Sequence, residues 1–130
     1  MRLRLAVAAA LLLVLPGCGT AGSERDARAS VQRFFVAVGA RDGAGACREL
    51  SEGAVSEVEK SERKPCAQGI LSQDVSPAPV VDVKVYMQSA QAKLRGGAAV
   101  FLDQTRQGWK ISAAGCKPQP GKPYQCELEA

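Results

Sequence analysis

Val80-Val81-Asp82-Val83-Lys84-Val85-Tyr86-Met87 is the stretch at which the chain changes its period. Val81, Val83, Val85 and Met87 alternate with Asp82, Lys84 and Tyr86, the two-residue repeat of a strand with one apolar face. The alternation continues downstream. Ala90, Ala92 and Leu94 alternate with Gln91, Lys93 and Arg95, then comes a run from Ala98 to Thr105, then Trp109, Ile111 and Ala113. Gln88-Ser89, Gly96-Gly97 and Arg106-Gln107-Gly108 supply the turns between these runs. The Pro- and Gly-rich stretch from Gly115 to Pro123 reads as a loop, and Tyr124 to Leu128 as a last strand. The second half of the chain is therefore expected to be an antiparallel meander.

Upstream of Val80 the period is helical. Ala27, Val31, Phe34, Phe35 and Val38 form one stripe, with Ser23 placed to cap the helix and Gly39 and Arg41-Asp42-Gly43 placed to end it. Asp42 is placed to cap a short helix through Leu50, and Ser51 a third carrying Ala54, Val55 and Val58. Pro65 suits the start of a fourth, with Cys66, Ile70 and Leu71. Asp74-Val75-Ser76-Pro77-Ala78-Pro79 is the loop that separates the two halves. Helices followed by a meander define an α+β fold.

The amino terminus reads as an address. Arg2 and Arg4 precede an apolar run from Leu5 to Leu15, too short to span a bilayer core, which needs ~20 residues. Leu15, Gly17 and Cys18 resemble the lipobox of a bacterial lipoprotein signal, with Pro16 a departure from its usual small residue. The resemblance implies cleavage before Cys18 and diacylglycerol on its sulfur. Two acyl chains suffice for stable anchoring. Residues 1–17 are then a signal peptide, 18–23 a lipidated cysteine with a short flexible linker, and 24–130 a single domain close to the extracytoplasmic face of the cell membrane.

The net charge of the whole chain is +4. Without Arg2 and Arg4 it is about +2, too weak and too poor in aromatics for nucleic-acid binding. There is no histidine, so the commonest general base and metal ligand is missing. Of five cysteines, Cys18 goes to lipid. Cys47, Cys66, Cys116 and Cys126 remain, and four cysteines allow three pairings. The local pairing, Cys47 with Cys66 and Cys116 with Cys126, is the preferred one: it would clip the fourth helix to the second and pin the terminal strand beside the fourth. With no C-x-x-C pair and an oxidising compartment, disulfides are favoured over a metal site. No metal or other cofactor is expected.

The mature chain resembles small actinobacterial lipoproteins of the nuclear transport factor 2-like superfamily. The resemblance rests on Val31-Gln32-Arg33-Phe34-Phe35, Ala46-Cys47-Arg48-Glu49-Leu50-Ser51, Pro65-Cys66-Ala67, Gly108-Trp109-Lys110-Ile111-Ser112-Ala113-Ala114-Gly115-Cys116 and Tyr124-Gln125-Cys126-Glu127-Leu128. It implies N-terminal helices packed on a curved antiparallel sheet, a cystatin- or nuclear transport factor 2-like cone with two disulfides and room for a pocket. Phe35, Phe101, Asp103 and Trp109 are the candidates to line that pocket, although for Phe34, Phe35, Tyr86, Phe101 and Trp109 a place in the core is the favoured reading. Asp103 shares a strand face with Phe101. Asp82, opposite the valines, reads as solvated. Arg25, Arg28 and Arg33 read as a mixed-charge helix face among Glu24 and Asp26.

Fold does not supply activity. The expectation is a lipid-anchored, non-enzymatic module that binds a small apolar ligand or an envelope protein. The alternatives are a cyclase- or isomerase-like cone enzyme acting on an apolar substrate, and a purely structural envelope lipoprotein.

Overall fold

The computed structural model describes residues 20–130. The expected signal segment and Cys18 lie outside the described residues.

The helical half contains α1 (Thr20–Gly39), α2 (Gly43–Arg48), α3 (Glu52–Glu62) and α4 (Cys66–Gly69), which runs into a 3-10 turn at Ile70–Ser72. Ala27, Val31, Phe34 and Phe35 on α1 are buried, as their spacing requires. Asp42 accepts from the Gly45 amide at 2.9 Å and Ser51 from the Ala54 amide at 3.2 Å, so both act as N-caps. Ser23 does not, because α1 already includes Thr20–Gly22. That stretch, expected as linker, contains no proline. A single glycine costs only ~1 kcal/mol in a helix that its packed face stabilises.

Gly43 opens α2 where α4 passes closest. A Cβ placed there would lie 1.7 Å from the Ala67 carbonyl oxygen. Glycine alone allows this approach, and the Cys47–Cys66 disulfide, with Cα atoms 6.2 Å apart, locks it.

The sheet half contains β1 (Val80–Tyr86), β2 (Ser89–Leu94), β3 (Ala99–Thr105), β4 (Gly108–Gln119), β5 (Lys122–Gln125) and β6 (Leu128–Glu129). The first five follow one another across an antiparallel sheet, and β6 pairs with β4. Three details depart from strict alternation. In β1, Val80 faces Leu94 while Asp82 faces Lys93, so Val81 is an extra residue. It is 55% exposed, and Val80 packs on the core in its place. The following turn is Met87-Gln88, one residue earlier than the Gln88-Ser89 expected, and Met87 is 94% exposed. In β4, Leu102 faces Ile111 while Phe101 faces Ala113, so Ser112 is extra. Trp109 and Ile111 therefore face the main core while Ala113 turns to the opposite side of the sheet.

The Gly115–Pro123 segment is not a loop. β4 continues through it to Gln119, and Pro120-Gly121 makes the turn into β5. Gly115, at a φ of 65°, allows Glu127 to pass within 3.0 Å of where a Cβ would be. The Cys116–Cys126 disulfide ties β4 to the segment leading into β6.

β4 organises the whole domain. β3 pairs with one edge of it. The other edge is shared by β5, by β6 and by the short segment Glu49–Ser51 from the helical half. In that last pairing the Ile111 amide donates to the Glu49 carbonyl, and the Ser51 amide to the Ile111 carbonyl, both at 2.8 Å.

Two apolar clusters result. The large one lies between the helices and the sheet and holds Phe34, Phe35, Val83, Leu94, Leu102, Trp109 and Ile111. The small one lies across the sheet, where Ala99, Ala113 and Cys116 pack with Phe101, Tyr124 and Cys126. Each large aliphatic or aromatic side chain buried contributes about 1.5–3 kcal/mol, so the large cluster dominates stability. No helix among the described residues is long and apolar enough to cross a membrane.

Candidate functional site

The small cluster floors a cleft of about 420 Å³ lined by Phe101, Asp103, Ser112, Ala113, Tyr124 and Glu129, among others. Its elements follow from the irregularities above. The extra residue Ser112 turns Ala113 outward, and the β4–β5 hairpin brings Tyr124 back over the sheet. Phe101 and Tyr124 meet edge to face, ring centroids 5.4 Å apart and planes at 75°, a favoured arrangement for aromatic rings. Both are half-buried.

Asp103 and Glu129 stand exposed on the rim. Ser89 Oγ donates to Asp103 Oδ1 at 3.1 Å, across the β2–β3 pair. Neither carboxylate forms an ion pair among the described residues. The register sets Lys110 opposite Asp103, but its Nζ is given to the Arg48 carbonyl, so two carboxylates outside ion-pair distance of any described cation stand over an aromatic floor. Chemically the cleft can attract a cation and pack a flat or apolar body; cation–π contacts contribute about 0.5–1 kcal/mol at exposed sites.

The four pocket candidates are not brought together. Phe101 and Asp103 line this cleft. Phe35 and Trp109 lie on the other side of the sheet, 7% and 5% exposed, in the large cluster. They share a strand or helix pattern with core residues and belong to the core. Tyr124 and Glu129 are not among the pocket residues that the sequence suggests. The available signal for Tyr124 was its place two residues before Cys126, whose bridge to Cys116 fixes it over β4. Among the described residues, no group of three or more His, Cys, Asp or Glu side chains gathers where it could hold a metal ion.

The buried polar chemistry is elsewhere and is self-contained. Ser30 is fully buried on α1, its hydroxyl 2.9 Å from Glu49 Oε2 and 3.0 Å from the Trp109 carbonyl oxygen. One hydroxyl proton thus faces two acceptors. Arg33 supplies the missing donors to Glu49, and Lys110 Nζ donates to the Arg48 carbonyl at 2.6 Å beside it. Burial pushes the Glu49 carboxyl up. The Arg33 and Ser30 hydrogen bonds and the charges of Arg33 and Lys110 outweigh it and leave the carboxyl below its ordinary value. The Arg33 guanidinium is correspondingly raised, chiefly by its hydrogen bond to Glu49. A shallow groove of about 510 Å³ beside this pair is lined by Ala29, Val36 and Ala37 of α1, by Ala40 just after it, and by α2. Three of its charged groups are already engaged: Arg33 pairs with Glu49, and Asp42 caps α2, which leaves Arg48 the one charged lining side chain without such a partner among the described residues. The cleft over Phe101 and Tyr124 is therefore the better candidate site.

No protein-family model matches the chain, and no curated protein matches it. Among solved structures it is similar to a protein of unknown function from Mycobacterium tuberculosis. The two are 17% identical with a TM-score of 0.33, over 81% of this chain and 69% of that one.

Proposed function

We propose that the chain is a non-enzymatic module, held by lipid on Cys18 at the extracytoplasmic face of a bacterial cell membrane, that binds a small ligand in the Phe101–Tyr124 cleft. The observation that carries this reading is the pair of carboxylates, Asp103 and Glu129, that form no ion pair among the described residues and stand on the rim of an aromatic floor. It favours a ligand with an apolar body and a positive charge. The two disulfides fit an oxidising compartment, and the sequence pattern from Arg2 to Cys18 supports the anchor. Helices leading into a meander, with α1 packed against β1, β2 and β4, support a cone of the nuclear transport factor 2-like kind. An enzymatic reading is less favoured, because Asp103 is exposed and its one hydrogen-bond partner is a serine.

Two experiments test the proposal. Equilibrium dialysis of the full chain against benzyltrimethylammonium, with benzyl alcohol as the neutral comparison, should show preference for the cation. Asp103→Asn should weaken that binding about two- to fivefold, in line with the loss of an exposed charge pair of up to about 1 kcal/mol. Equal uptake of the two probes would refute the cleft assignment. Separately, Cys18→Ala should release the protein from the membrane fraction; retention there would refute the anchor.

A further inference from the structure

β1 is the open edge of the sheet. β2 pairs with one side of it, and no backbone group among the described residues pairs with the other. Of the four large apolar side chains that stand exposed among the described residues, three lie on this strand and its turn: Val81, Tyr86 and Met87, at 55%, 75% and 94%. An exposed edge of this kind is a template for another strand. The chain blunts it only at its start, where Val81 bulges and Arg28 Nη1 donates to the Val80 carbonyl at 2.9 Å.

From Asp82 to Tyr86 the strand is regular. Tyr86 and Ser89 flank a two-residue turn and exchange their own hydrogen bonds, so Lys84 and Asp82 also direct theirs to β2. The amides and carbonyls of Val83 and Val85 are left pointing outward. Asp82 and Lys84 project from the face opposite the buried Val83.

We propose that this edge pairs with the same edge of a second copy of the chain, antiparallel, about a two-fold axis through Val83. The charge pattern selects the occupant and the register. With Val83 opposite Val83, Asp82 of each copy lies opposite Lys84 of the other, twice by symmetry. A shift of the axis to Lys84 sets Lys84 against itself, which is destabilising. A shift by a single residue of pairing would put core-facing side chains opposite solvent-facing ones. Asp82 also faces Lys93 across β2, so the charges along this row alternate through the seam. The same register brings the exposed Tyr86 of each copy to the exposed Val81 end of the other. The interface is isologous, as a two-fold dimer requires.

Charge reversal tests this directly. The full chain in detergent, its mass measured by light scattering with the detergent subtracted, should be a dimer. Asp82→Lys and Lys84→Asp should each weaken dimerisation about tenfold or more, because attraction becomes repulsion at both symmetric pairs. The double variant, with the two charges exchanged, should restore it. Both positions project away from the core, and circular dichroism checks that each variant keeps its fold. A monomeric parent, a dimer indifferent to the single reversals, or a double variant that stays monomeric would each overturn the proposal. Binding of an unrelated extended peptide by a monomeric parent would also count against it.

Discussion

Arg33 and Glu49 are joined twice, Nε to Oε1 at 2.7 Å and Nη2 to Oε2 at 3.1 Å. The two ends differ in environment: the Arg33 side chain is 60% exposed and that of Glu49 12%. Removing the buried end should cost more. Glu49→Ala leaves Arg33 solvated but strips the Ser30 hydroxyl of one acceptor. A charged hydrogen bond contributes about 1.5–3 kcal/mol, discounted here for solvent screening. The expected loss is about 1–2 kcal/mol for Glu49→Ala and below ~1 kcal/mol for Arg33→Ala. Urea unfolding at pH 7 measures both.

The same pair gives stability a pH dependence. The folded Glu49 carboxyl lies below its ordinary value of 4.5, so near that pH the unfolded chain binds the proton more readily. Stability from this group is then fully present above that value and is lost as pH falls through the lower, folded value. The parent should lose more stability than Glu49→Gln on acidification from pH 6 to pH 3. Parallel slopes for the two proteins would show that Glu49 does not contribute.

Gly43 should tolerate no side chain. A methyl group there meets the Ala67 carbonyl oxygen, and the disulfide beside it prevents α4 from moving aside. Gly43→Ala is expected to destabilise by at least about 1–3 kcal/mol, the usual cost of overpacking. Gly96→Ala meets no neighbouring atom and should lose only the cost of its φ of 95°. Thermal melts of the two variants compare packing with backbone strain.

The Cys47–Cys66 bridge closes a separation of 19 residues. The double change Cys47→Ser with Cys66→Ser should cost about 3 kcal/mol, by removing its restraint on the unfolded chain. A non-reducing peptide map of the parent should contain this pair and the Cys116–Cys126 pair, and no cross-linked peptide between the two halves. The buried Trp109, the sole tryptophan, reports the unfolding by its fluorescence.

Much of the architecture could be read from local rules. Period together with turn signals located α1 and the first four strands, and Asp42 and Ser51 cap the helices they were expected to cap. Failures arose where long-range pairing overrode a local signal. Gly115 and Pro118 look like loop residues, yet β4 continues through them to Gln119 because β5 folds back on its far end, and only Pro120-Gly121 makes the turn. Val81 fits a perfect alternation, but the β1–β2 register expels it. The cleft was half legible. Phe101 and Asp103 share a face by simple parity, whereas Tyr124 and Glu129 join them only through the bulge at Ser112 and the return of the chain past Cys126. Nothing local distinguishes Phe35 or Trp109 from pocket walls. Their burial follows from how α1 lies on the sheet, which sequence spacing does not encode.

The pairing of Glu49–Ser51 with Ile111 has a consequence for how the chain could be divided. Each disulfide stays within its own half, Cys47–Cys66 before the Asp74–Pro79 loop and Cys116–Cys126 after it. The halves are therefore fastened by backbone hydrogen bonds at Ile111, by the side-chain hydrogen bonds of Arg28, Ser30 and Lys110 and by the shared core, with no covalent link among the described residues except the loop itself. A protease nick in that loop would produce two fragments with an edge and an apolar face each, complementary to one another. Co-expressed as separate pieces cut at Ser76, they should reassemble, and losing the Ile111 stitch should be what prevents it.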